Sequence, residues 1–501
     1  MGCHPLTTTT ENGQPRRKGL CQSLVLPVLL EPMRYFRCSF CFRPLDDSYH
    51  NPSSILLHRH CSQQCSKLDQ HWEIETRAAQ RLASLANTKK LPSPTVILCS
   101  RIVRLCRSNP AAKQEYNQLC WNVDLLSDEE KNTYLELMQK CHFFLRQMND
   151  PDASKAAYAL IHPDPTPAYQ FMSRLTMNGF TISTSEQLPL GVGVYPDASM
   201  INHSCRPNAV PTFWFSNDAV STPPLLQITT CRTVNEGDEI TISYCDGSAP
   251  RSTRLSGLWK NYKFQCGCAL CKDGGRDDCT VGLKCANKGC KGMALSERIL
   301  GPQPAVAEED ARNTSTTSRN MPCFECELCG CVDFDDAIRA QTRCIHRIEQ
   351  IELFSQNSTT SNNDSKSYGQ ELKTIYESLK SICNIQSSWY IAWSADALLN
   401  WCANNLSRCA NEQEQIDICQ QGLVVMNETR SATKFSMCYP GNLRWFVQRG
   451  VEAKLRLFVN PMDMEALGML RDVREKLIMF YPSSDETVLL LEQSIAAYSF
   501  S

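Results

Sequence analysis

The sequence carries almost no net charge. Its 51 Lys and Arg face 53 Asp and Glu, a formal balance of −2. That excludes a global basic field of the kind that draws proteins onto nucleic acid, so no direct nucleic acid binding is expected. Long apolar runs are missing as well. The stretch Leu24–Leu30 is broken by Pro27 and falls far short of the ~20 residues a membrane helix needs, so no membrane role is expected. The opening MGCHPLTTTTENGQPRRKG is polar and lacks the apolar centre of a secretory signal. Leu6 stands where a myristoylated chain beginning Met-Gly would carry Ser or Thr. These absences together predict an intracellular protein of the cytoplasm or nucleus. Cysteine, by contrast, is abundant at 29 of 501 residues. In a reducing compartment, clustered cysteines point to metal ligands before disulfides.

A hydrophobic content of 42% is enough for a sizeable core, and the length allows two to four domains. Residues 14–35 read as one or two strands and 36–72 as Cys/His-rich loop. Residues 73–177 read as helical. There Ser127 and Glu130 have capping-box spacing ahead of Tyr134, Leu137, Met138, Cys141 and Leu145 at helical steps. Residues 178–245 turn β-like, with short runs at Phe180–Ile182, Leu225–Thr230 and Glu239–Tyr244. Residues 302–322 are polar enough to predict a disordered insertion, and 356–367 have a similar composition. From about 333 to 501 the periodicity is helical, including Tyr390, Trp393, Ala397 and Trp401. A second capping box is expected at Ser483 and Glu486. Antiparallel helix pairs of tetratricopeptide type are plausible, although no clean 34-residue repeat is visible. The Trp-rich helix is expected to be core packing.

The cysteines fall into three sets. Cys266, Cys268 and Cys271 lie within six residues but number three, and tetrahedral zinc takes four. Cys205, brought close by folding, is the natural fourth. Cys38 and Cys41 with Cys61 and Cys65 form a second set, with His58 or His60 as alternative ligands. Cys285 and Cys290 with Cys326 and Cys329 form a third, of zinc-ribbon type, for which Cys323 and Cys331 compete. Two to three structural zinc sites are therefore expected.

Three motifs then occur in order: Asn202-His203-Ser204-Cys205, Gly237-Asp238-Glu239-Ile240-Thr241-Ile242-Ser243-Tyr244, and Cys266-Gly267-Cys268-Ala269-Leu270-Cys271. Their order and spacing resemble the second half of a SET domain with its post-SET zinc loop. The segment around Cys61 and Cys65 resembles the end of a MYND finger. The middle Cys pair of such a finger is absent here, and so is its terminal Cys. The chain thus resembles the SET and MYND domain family of protein-lysine methyltransferases.

The resemblance implies an α+β fold: a β-rich SET domain split by a MYND-like zinc finger, a post-SET zinc loop (residues 246–275), and an all-α, tetratricopeptide-like C-terminal domain. A zinc-ribbon-like segment at 280–332 adds to that plan. The resemblance also implies transfer of a methyl from S-adenosylmethionine to a lysine of a histone or another protein. Tyr244 would be catalytic. Arg16, Lys18, Asn178, Ser199, Asn202, His203, Tyr262 and Phe264 would hold the cofactor. The finger and the helical lobe would offer surfaces to peptide partners. One departure stands out. The family opens on Gly-x-Gly-Leu, and here the segment is Arg17-Lys18-Gly19-Leu20, with only the second glycine kept. A catalytically inactive scaffold that binds partners and regulates transcription is the alternative reading. A RING-like ligase leaves Asn202–Cys205 and Tyr244 unexplained.

Overall fold

A computed structural model describes residues 17–24, 26–45, 57–85, 91–215, 221–272, 279–296, 324–355, 362–437 and 442–499. The polar insertion at 302–322, Arg16 and Cys323 lie outside the described residues. The chain forms two compact units. One comprises Met1–Ser243, Trp259–Phe264 and Asp472–Ala496, and the other Tyr244–Leu258, Gln265–Arg471 and Ala497–Ser501.

In the first unit the strands are short and antiparallel, as the turn-rich sequence expects. Arg17–Cys21 pairs with Leu225–Thr230, which pairs in turn with Ala209–Trp214. A second sheet has Pro189–Val194 at its centre, between Val28–Leu29 and Gly179–Ser183. The apolar run at Glu239–Tyr244 is mostly not a strand. Only Thr241–Ile242 pairs, in parallel, with Asn202–His203. The reason lies in the preceding turn, where Gly237 has φ of +89° and the Asn235 amide donates to the Asp238 carboxylate.

The helical stretch runs through Trp72–Leu85, Pro94–Ser108, Pro110–Gln118, Asp128–Gln147, Pro151–Ile161 and Thr166–Met177. Met138, Cys141 and Leu145 are buried at helical spacing in a core shared with Ile97, Ile102, Met172 and Val194. The Ser127 capping box forms on both sides. The Glu130 amide donates to Ser127 Oγ at 3.2 Å, and the Ser127 amide donates to Glu130 Oε2 at 2.9 Å. An ion pair is sealed inside this unit. Arg101 grips both oxygens of Glu75 at 2.8 and 2.7 Å and donates to the carbonyls of Leu26 and Pro27. Burial opposes the Glu75 charge, but the Arg101 guanidinium prevails and holds this carboxyl well below the usual range.

The chain returns to this unit near its end. Ser185 Oγ donates to Asp485, and Thr212 and Gln227 donate to the carbonyl of Phe480. The expected cap at Ser483 is replaced by Asp485, whose carboxylate accepts from the amides of Thr487 and Val488 ahead of the helix Glu486–Ser499. An acceptor two residues nearer the first turn takes the role.

The second unit is chiefly helical: Asp335–Ser355, Asn362–Ile382, Trp389–Asn405, Glu412–Met437, Leu443–Val459, and Met464–Leu477 across the boundary. The polar segment at 356–367 is not loop throughout, because a helix starts at Asn362 and its later turns supply buried Leu372, Ile375, Tyr376 and Leu379. Trp389 and Trp393 stack with ring centroids 5.0 Å apart and are buried, as the core-packing reading expects.

Candidate functional site

Asn202 and His203 sit opposite Thr241 and Ile242 in the parallel bridge, and the Ser204 amide extends it with a bond to the Ile242 carbonyl at 3.0 Å. Tyr244 follows Ile242 by two residues and is half-buried. The Asn202 amide donates to Glu239 Oε1 at 2.7 Å, while Asn208 donates to the Glu239 carbonyl and accepts from the Thr241 amide. Asn208 thereby closes the loop that carries the Asn-His pair onto the strand leading to Tyr244. Glu239 stands in the sequence motif without a role, and spacing gives no sign of Asn208.

Tyr262 ends the helix Arg251–Tyr262, and Lys263 at φ of +59° turns the chain so that Phe264 faces back. The His203 and Phe264 rings lie 5.8 Å apart, and Tyr262 meets Phe264 edge-on at 6.5 Å. Residues sixty positions apart thus form one group of flat rings. Lys263 is pinned by Glu130 of the capping box. Burial opposes the charge on Glu130, yet the Lys263 ammonium keeps that carboxyl below its ordinary value.

Asn178 and Ser199 are also adjacent, but their side chains serve the scaffold. Asn178 donates through Nδ2 to the carbonyls of Cys120 and Arg174, each at 2.8 Å, and Ser199 Oγ donates to the carbonyls of Asn178 and Tyr195. Lys18 lies opposite Ile228 and Leu20 opposite Gln227, so Gly19 is the bulged residue between them. A glycine bulge lifts its own amide and carbonyl out of the ladder and lets a ligand approach the backbone. The glycine kept from Gly-x-Gly-Leu therefore stands where backbone access matters. The ring group and the Asn-His loop offer flat faces and a side-chain amide, the kind of surface an aminoacyl nucleoside would meet.

The finger cysteines converge. Cys41 and Cys61, and Cys61 and Cys65, have sulfurs 3.6 Å apart, and all four sulfurs, Cys38 included, lie within 4.8 Å of one another. Four thiolates about 2.3 Å from a zinc ion stand roughly 3.8 Å apart, so the set fits the ion. Hydrogen bonding from Cys38, and then from the Arg43 guanidinium, outweighs burial and brings Cys41 down to about 4. Arg43 Nε lies 3.3 Å from the Cys41 sulfur, a contact that the two-residue spacing hints at but did not establish.

His58 and His60 are not part of this cluster. Their Nε2 atoms bond to Glu75 at 2.8 Å and Asp69 at 3.0 Å. The alternative shell is thereby corrected, since buried carboxylates hold both rings away from the sulfurs. In the second unit, Cys266, Cys268 and Cys271 bring their sulfurs within 4.8 Å of one another, with the Cys268 amide directed at the Cys266 sulfur and Arg254 at that of Cys271. Cys285, Cys290, Cys326 and Cys329 converge likewise. Cys331 is outside that group; its carbonyl accepts from the Cys326 amide.

Comparison with known proteins agrees with this geometry. The profile of the SET domain matches residues 84–245. The chain is 28% identical over 229 residues to the histone-lysine N-methyltransferase SMYD3 of Mus musculus, covering 45% of this chain and 49% of that protein. It is 25% identical over 274 residues to the histone-lysine N-methyltransferase ASHR1 of Arabidopsis thaliana, covering 52% of each. It is 23% identical over 280 residues to the N-lysine methyltransferase SMYD2 of Sus scrofa, covering 54% of this chain and 58% of that protein. The chain spans about half the length of the curated relatives it matches. It carries a SET domain, is homologous to the SMYD2 and SMYD3 methyltransferases, and has cysteine clusters that fit a MYND-like zinc finger.

Proposed function

We propose that this SET-domain chain is an S-adenosylmethionine-dependent protein-lysine N-methyltransferase acting on a histone or another protein. The observation that carries the reading is the loop holding Asn202 and His203 against the strand that runs into Tyr244, with Phe264 beside His203 and Tyr262 beside Phe264. S-adenosylmethionine, when bound, supplies a methyl group on a cationic sulfonium.

The residues that would hold it are Asn202 and His203, the ring faces of Tyr262 and Phe264, the segments of Asn178 and Ser199, and, on the resemblance alone, Arg16 and Lys18. A target lysine is almost wholly protonated in water, with a pKa of about 10.4. An apolar channel beside a cation disfavours that charge and frees the attacking lone pair. Tyr244 orients the amine through its hydroxyl, and alignment supplies much of the rate. Cys205, which is buried and directly follows the Asn-His-Ser loop, is the thiol that the motif order assigns as fourth ligand to the zinc of Cys266, Cys268 and Cys271. Zinc on Cys38, Cys41, Cys61 and Cys65 would staple the finger. Among the described residues no helix is long and apolar enough to cross a membrane. An intracellular site of action, in cytoplasm or nucleus, belongs to the same reading.

The test has two arms. Calorimetry with S-adenosylmethionine is expected to give micromolar binding, and radiolabelled methyl is expected to enter histone or cytosolic protein pools. Silence in both, from protein of full zinc content, would leave the scaffold alternative standing.

A further inference from the structure

The cysteine set of the second unit lies outside the SET-domain match, and methyl transfer makes no use of it. We propose that Cys285, Cys290, Cys326 and Cys329 bind a structural zinc ion that splints the chain reversal between the helices Asn362–Ile382 and Trp389–Asn405. The strands Leu283–Lys284, Met293–Ser296 and Phe324–Cys326 form a three-stranded antiparallel sheet, with Met293–Ser296 in the middle. Leu283, Ala294 and Phe324 pack this sheet on the helices, but apolar burial does not hold the exposed turn at Cys329.

The sulfurs explain what does. Cys285 and Cys329 are 3.4 Å apart and Cys290 and Cys326 are 3.7 Å apart, near the tetrahedral spacing and far beyond a disulfide bond of about 2.05 Å. Backbone amides point at the sulfurs: Asn287 donates to Cys285 at 3.4 Å and Gly292 to Cys290 at 3.4 Å. The Asn287 side chain donates to Cys329 at 3.3 Å. Four sulfurs within 4.8 Å of one another, with donors aimed at them, match the ligand shell of a tetrahedral cation. The turns are shaped for the site. Gly289 and Gly330 have φ of +90° and +67°, and a Cβ on Gly292 would stand 2.6 Å from the Cys326 sulfur.

The sheet is fastened to the helices at their turn. Leu283 bridges to Cys383, the Asn384 amide donates to the Gly282 carbonyl, and Ser387 Oγ donates to the Cys279 carbonyl at 2.8 Å. Lys284 Nζ reaches the Lys380 carbonyl at the end of the first helix. The ion thereby sets where one helix ends and the next begins.

Metal analysis of the purified full chain tests this. Cys329→Ser and Cys326→Ser are each expected to lose about one zinc equivalent, and cobalt-substituted protein to lose part of its thiolate charge-transfer absorption. Cys329→His is expected to keep the ion, separating a lost ligand from a lost fold. Cys331→Ser is expected to retain full metal. Hydrogen exchange at the Asn384 amide is expected to speed up at least tenfold in Cys329→Ser. Unchanged zinc in both serine variants, or equal loss in Cys331→Ser, overturns the proposal. None of these readouts depends on methyl transfer, so this inference and the catalytic one fail separately.

Discussion

The proposed roles of Tyr244 and Asn202 differ, and single substitutions separate them. Tyr244→Phe removes one hydroxyl and is expected to lower kcat by about a hundredfold, with cofactor affinity little changed. Single-turnover methylation beside calorimetry checks it. Asn202→Ala removes the amide proposed to meet the charged cofactor and releases Glu239, to which that amide donates. It is expected to weaken S-adenosylmethionine binding by about tenfold or more, at about 1.5–3 kcal/mol for a hydrogen bond to a charged group.

His71 gives a pH dependence. Burial first, and then the Arg101 charge, push it down to about 4 from its ordinary 6.5. The folded state therefore binds fewer protons than the unfolded one between those values. Stability is full above about pH 6.5 and falls as pH drops toward 4. His71→Gln keeps an acceptor for Arg104 and is expected to flatten that part of the denaturation profile. Of the residue roles, those written in cysteine spacing were the most legible, because C-x-C-x2-C and C-x2-C encode ligand geometry locally. The duties of His58, His60 and Asn178 were not legible, because the carboxylates and carbonyls that claim them come from remote segments.

At the scale of elements, the strand Pro189–Val194 and the finger are fitted to each other. A Cβ on Gly191 would lie 2.5 Å from a ring carbon of Phe42 and 2.6 Å from the Val28 carbonyl. Phe42 is fully buried at φ of +63° and cannot easily withdraw. Gly191→Ala is expected to cost about 1–3 kcal/mol by overpacking, measured by urea denaturation, and to loosen the finger. The Ser127 box was readable because both partners lie within one helical turn. The cap of the last helix was misread by two residues because the spacing rule cannot tell which of Ser483 and Asp485 faces the first open amides. The extended run before Tyr244 was overcalled for a related reason: apolar alternation suggests a strand, but pairing needs a partner of equal length, and Asn202–His203 offers two residues.

At the scale of the molecule, the chain path ties its end to its beginning. Phe480 and Tyr481 are buried in the first unit, and the Phe480 carbonyl accepts from Thr212 and Gln227. Truncation after Arg471 is expected to lower the melting temperature of the SET-domain unit by several degrees or leave it insoluble, a result that scanning calorimetry of the truncated chain would register. The helical periodicity of the last thirty residues does not announce that the chain there joins strands 253 and 268 positions earlier.

The sequence alone determined which cysteines are spaced as ligand sets and where the strand, loop and helix signals fall, because cysteine spacing, capping and amphipathic period are local properties of the chain. Tertiary structure alone decided that the His203 and Phe264 rings meet, that Arg101 pairs with Glu75 away from solvent, and that the segment at Phe480 joins the strands of Thr212 and Gln227. Those outcomes depend on long-range packing and on the desolvation of charges, and neither is a function of nearest neighbours in sequence.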